Sequence, residues 1–83
     1  MSFKELPDDV QKTAARVLTD KQLQVWILHL GGVSNRDIAY GLGYSRSNVR
    51  DHLDAAHRKL WMNGVTQSLD GEWRVNDDEP EAA

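Results

Sequence analysis

Eighty-three residues hold one domain and no second core, and the absence of cysteine excludes disulfides and thiolate metal sites, as expected of a cytoplasmic protein in a reducing setting. No apolar run approaches the ~20 residues of a membrane span and no signal-peptide core follows Met1, so a membrane partner is excluded. The net charge of −3 argues at first sight against a polyanionic partner.

The first helix is predicted from about Pro7 to Leu18, with Val10, Ala14 and Val17 at helical spacing. Pro7 suits its first turn, and Asp8 and Asp9 suit the positive end of its dipole. A new start follows at Thr19, because Thr19 and Gln22 have the spacing of a capping box. Leu23, Trp26, Ile27 and Leu30 then form one stripe at i, i+3, i+4 and i+7, and Gly31-Gly32 ends the helix. A short third helix, about 35–42, opens after Ser34 with Asp37 three residues on. Ile38, Ala39 and Leu42 form its apolar face, and Gly43 stops it.

Ser45 caps the longest helix, about 46–62, whose Val49, Leu53, Ala56 and Leu60 form a continuous buried seam. Past Gly64 the period shifts from helical to alternating. Val65–Ser68 and Glu72–Val75 flank Leu69-Asp70-Gly71, which predicts a hairpin over about 65–75 with a three-residue loop. In that register Val65 faces Val75 and Gln67 faces Trp73. The opening Met and the polar tail lead us to expect an entire small protein, a single domain over 1–76 with a disordered acidic tail at 77–83.

Two helices joined by a tight glycine turn, the second longer and amphipathic, form a helix-turn-helix pattern. Ala39 lets the two helices approach closely, and Gly43 lets the chain reverse. The fold class is therefore mainly α, a four-helix helix-turn-helix domain with a wing-like C-terminal hairpin. Away from its seam the last helix presents Arg46, Ser47, Arg50, Asp51, Asp54 and Arg58, which would meet the major groove of double-stranded DNA. The charge distribution allows this. Residues 10–76 carry nine Lys or Arg against six acids, a net +3, while residues 1–9 carry −2 and residues 77–83 carry −4.

The run from Leu18 to Leu60 resembles the four-helix DNA-binding unit shared by region 4 of bacterial sigma factors and LuxR-type regulators. The matching pieces are Leu18-Thr19, Gly32 through Ala39, Leu42-Gly43-Tyr44-Ser45, Asn48 through Leu53, and Arg58-Lys59-Leu60. The resemblance implies base contacts by Arg46, Ser47 and Asp51, a base or phosphate contact by Arg50, and backbone contacts by Arg36 and Ser45. Tyr44 and Asn48 fall within the same motif and are counted with the DNA-binding set. LuxR-type domains close with a further helix that often makes the dimer contact, and here the hairpin stands in its place. A thinner likeness, through Leu42-Gly43-Tyr44-Ser45, reaches small phage regulators and the DNA-binding part of small terminase subunits. These likenesses imply a transcriptional regulator in the cytoplasm of a bacterium, or of the host if phage-encoded.

Several residues have plainer readings. Asp51 and Asp54 repel phosphate. Asp51 can instead accept from cytosine N4, and Asp54 can pair with Arg50 and Arg58 at i, i+4. His29, His52 and His57 lack the spacing of a zinc site, so no metal and no cofactor is expected, although His52 could touch a phosphate. No ordered triad, nucleophile elbow or phosphate loop is present, and an enzyme is not expected. Trp26 belongs to the core. Trp61 and Trp73 either pack on each other or form an apolar patch for a second subunit. Arg74 on the wing is read either as a DNA contact or as a solvated strand residue. The acidic tail either solubilises the chain or competes with DNA for the basic face.

The expected function is a sequence-specific DNA-binding regulator acting as a homodimer on two half-sites. The rivals are a module that binds RNA polymerase or another regulator, and a packaging or recombination accessory protein.

Overall fold

Helix starts in this chain are written as capping residues, and three of them close the expected bonds. The computed structural model describes residues 2–76, and the acidic tail lies outside them. The Thr19 hydroxyl accepts from Gln22 N–H at 3.1 Å while Gln22 Oε1 accepts from Thr19 N–H at 3.1 Å, a reciprocal capping box. The Ser34 hydroxyl accepts from Asp37 N–H at 3.2 Å and the Ser45 hydroxyl from Asn48 N–H at 3.1 Å. Each such cap contributes about 1 kcal/mol.

The elements in chain order are α1 (Asp8–Val17), α2 (Asp20–Leu30), α3 (Asn35–Leu42), α4 (Arg46–Met62), β1 (Val65–Gln67) and β2 (Trp73–Val75). Pro7 occupies the N-cap of α1 rather than its first turn, and its carbonyl accepts from Gln11 N–H at 3.0 Å. A short 3-10 turn, Phe3–Glu5, precedes it and is capped by Ser2. Ser2 and Glu5 have the spacing of a capping box, a local signal that sequence reasoning missed, and Phe3 adds a tertiary contact, packing edge-on against Trp26 at 5.9 Å.

The seam of α4 is buried as its spacing requires, with Val49, Leu53, Ala56 and Leu60 all in the core. α2 crosses that seam. Its first turn reaches Lys59, whose Nζ donates to Gln22 Oε1 at 2.9 Å, and its last turn brings His29 within 6.0 Å of His57 on the opposite flank. Packed from several sides, α2 buries Val25 and Trp26 fully, while Leu23, Ile27 and Leu30 of the expected stripe are only half-buried. A single-stripe reading assumes one packing partner, and α2 has contacts to both α3 and α4.

α3 lays Ile38 and Ala39 onto α4 and stops at Gly43, which adopts φ 74°. Tyr44 N–H donates to the Ala39 carbonyl at 2.9 Å, the closing bond of a Schellman-type stop. The hairpin pairs Val65 with Val75, Thr66 with Arg74 and Gln67 with Trp73 in antiparallel register. Ser68 N–H extends the ladder to the Glu72 carbonyl at 2.8 Å, leaving Leu69-Asp70-Gly71 as the loop. The pair packs against α1 and the end of α4.

Trp61 and Trp73 do not pack as a pair. Trp73 lies edge-on to Trp26 at 5.6 Å, whereas Trp61 is 70% exposed. The hairpin folds toward α2, so its aromatic ring joins the core from that side.

Candidate nucleic-acid interface

The turn at Gly43 sets the N-terminus of α4 beside that of α3. Asn35 and Arg36 from α3, with Arg46, Ser47 and Arg50 from α4, line one shallow cleft of about 440 Å³. Both caps leave their next two amides free. Ser34 and Ser45 satisfy Asp37 and Asn48, while the N–H groups of Asn35, Arg36, Arg46 and Ser47 have no partner among the described residues. The cleft therefore combines two positive helix ends with guanidinium groups and has no acid in its lining, the electrostatics of an anion site.

The sequence-predicted residues divide by position. Arg36, Arg46, Ser47 and Arg50 come together at this cleft. Ser45 is spent as the cap of α4, and Asn48 supplies the amide it holds. Asp51 and Asp54 are exposed on the outer face of α4. Among the described residues neither Arg50–Asp54 nor Asp54–Arg58 forms an ion pair; the pair recorded is Arg74–Glu72, at 3.5 Å on the exposed hairpin. Long charged side chains on a solvated helix gain too little from pairing to be held together. Arg58 lies twelve residues beyond Arg46, about 18 Å along the axis, and does not join the cleft. Arg74 sits on the hairpin that packs against the C-terminal end of α4.

Tyr44 stands on the other flank of α4. Its ring is stacked on His52 with centroids 5.6 Å apart and planes within 12°, and the Lys21 ammonium lies 5.8 Å from the ring centre. Sequence reasoning missed two residues of this region. Asn35 was legible as the first residue after the Ser34 cap, the counterpart of Arg46 after Ser45. Lys21 carried no such signal, since only tertiary packing brings α2 to the turn.

The histidine pair lies away from the cleft. His57 has its pKa lowered from the ordinary value, first by burial and then by repulsion from His29, with the Asp54 carboxylate opposing the shift.

A family model described as bacterial regulatory proteins, luxR family, matches residues 16–70, which takes in α2 through β1. No curated protein and no solved structure matches the chain. The family match covers more than half of the chain and is centred on the helix-turn-helix that builds the cleft. The chain belongs to the luxR family of bacterial regulatory proteins, and its α3–α4 unit is that family's DNA-binding helix-turn-helix.

Proposed function

We propose that the protein is a sequence-specific, double-stranded DNA-binding transcriptional regulator that reads the major groove with the N-terminal half of α4. The arginine-lined cleft at the paired N-termini of α3 and α4 carries this reading. Phosphate held by the free amides and Arg36 orients the domain, and α4 then presents Arg46, Ser47, Arg50 and Asp51 to base edges. Arg46 donates to guanine O6 and N7, and Asp51 accepts from cytosine N4. Tyr44, Ser45 and Asn48 shape the entry of the helix. Asp54, Arg58 and Arg74 act at the margin of the site.

One small domain with few cations grips DNA weakly, so the chain acts as a homodimer on two half-sites in the bacterial cytoplasm. Selection from a random duplex pool tests the reading. A motif should emerge, and Arg46→Ala should cost about 1–3 kcal/mol and relax one position of it. Failure of the wild-type chain to retain any duplex at low salt overturns it. That result would favour the second reading, a module docking on RNA polymerase, for which the exposed Asp51 and Asp54 supply the motive.

A further inference from the structure

The arginine cleft occupies one flank of α4. A helix dressed with side chains is about 10–12 Å across and the major groove about 12 Å wide, so a helix seated there has a phosphate strand on each side. A single anion site therefore leaves the opposite strand without a partner. Arg50 and His52 are two residues apart, which places them about 200° apart around α4 on opposite flanks.

The flank bearing His52 carries an organised cluster. Tyr44 stacks on His52, and Lys21 is drawn over the same ring. His52 Nδ1 lies 2.6 Å from the Asn48 carbonyl, which can only accept, so Nδ1 carries a proton and donates to it, and this bond orients the imidazole against Tyr44. Lys59, on the same flank, is already spent on Gln22. Lys21, by contrast, is exposed and makes only the ring contact among the described residues.

We propose that Lys21, Tyr44 and His52 form a second backbone-phosphate site, so that the domain straddles the major groove with the arginine cleft on one strand and this cluster on the other. The proposal rests on the DNA-binding reading. Lys21 supplies the charge and the Tyr44 hydroxyl a donor, while His52, stacked on the tyrosine and held by the Asn48 carbonyl, fixes the ring near which the lysine lies. These groups set register and carry no base preference.

The test is fluorescence anisotropy of a labelled duplex against the full chain over a salt series, with matched and scrambled sequences. Lys21→Ala should weaken binding to both duplexes alike and lower the slope of log K against log salt by about 0.9. Its deficit then shrinks about 3.5-fold as salt rises from about 50 to about 200 mM. Lys21→Arg should restore both quantities. His52→Gln should weaken binding with specificity unchanged, and thermal melts should show each variant folded. Wild-type affinity and slope for both Lys21→Ala and His52→Gln, with Arg50→Ala still impaired, overturn the second site and leave the DNA reading standing. A wild-type chain that retains no duplex overturns both.

Discussion

Two glycines share one backbone problem and differ in surroundings, which makes them a controlled pair. Gly43 adopts φ 74° and Gly64 φ 83°, so a side chain at either costs about 1–2 kcal/mol in left-handed backbone strain. At Gly43 an added Cβ meets nothing within 4 Å. At Gly64 it would stand 2.8 Å from the Asn76 carbonyl oxygen, backbone that cannot swing aside. The same two residues are joined by Asn76 N–H donating to the Gly64 carbonyl at 2.7 Å, so relief of the clash loosens the bond closing the hairpin. Losing that bond costs about a further 1 kcal/mol, with the residual overlap in addition. Part of the strain at both sites is offset by the lower entropy of alanine in the unfolded chain. Gly43→Ala should therefore cost about 1 kcal/mol and Gly64→Ala about 2–4 kcal/mol. For a domain of this size that is a melting-temperature loss of about 4–8 °C against one of at least about 8 °C. Thermal and urea unfolding followed by circular dichroism measure both. Because the strain is common to the two, their difference isolates the contact with Asn76. An equal or smaller loss at Gly64 would refute the steric argument.

Ser45→Ala should remove about 1 kcal/mol by freeing the Asn48 amide, while Ser47→Ala, exposed and outside the cap, should stay within about 0.5 kcal/mol by urea unfolding. Trp61→Ser should leave stability nearly unchanged, whereas Trp73→Ala should cost about 2–4 kcal/mol through its lost contact with Trp26. Comparable losses at both would contradict the separation of the two rings. His57 binds its proton less readily folded than unfolded, so the unfolded chain takes up protons first as pH falls. Stability should be full above the ordinary histidine pKa of about 6.5 and decline as pH falls through it toward the lowered folded value. His57→Gln should flatten that decline in melts taken across the range, and an unaltered profile would remove His57 as its source.

Local chemistry made most of the fold legible. Thr19, Ser34 and Ser45 were readable as caps because capping is a bond between neighbours three residues apart. The α4 seam was readable because that helix has one buried face. The hairpin register followed from its loop, since a three-residue loop forces Val65 opposite Val75. Of the candidate site, Arg46, Ser47 and Arg50 were visible as the outward face of a capped helix. Their convergence with Asn35 and Arg36 was not.

The division follows the range of the forces involved. Capping, periodicity and turn chemistry act over a few residues, so the sequence by itself determined four helices, the turn at Gly43 and the paired strands. Tertiary structure decided what depends on packing between distant segments. It placed Trp73 on Trp26 instead of Trp61, made Val25 rather than Ile27 a core residue of α2, and set two helix N-termini around one cleft. It also carried Lys21 across to Tyr44 and His52. Each of those contacts joins elements whose relative angle no local pattern encodes, because it is settled only when α2, α3, α4 and the hairpin compete for the same apolar surface.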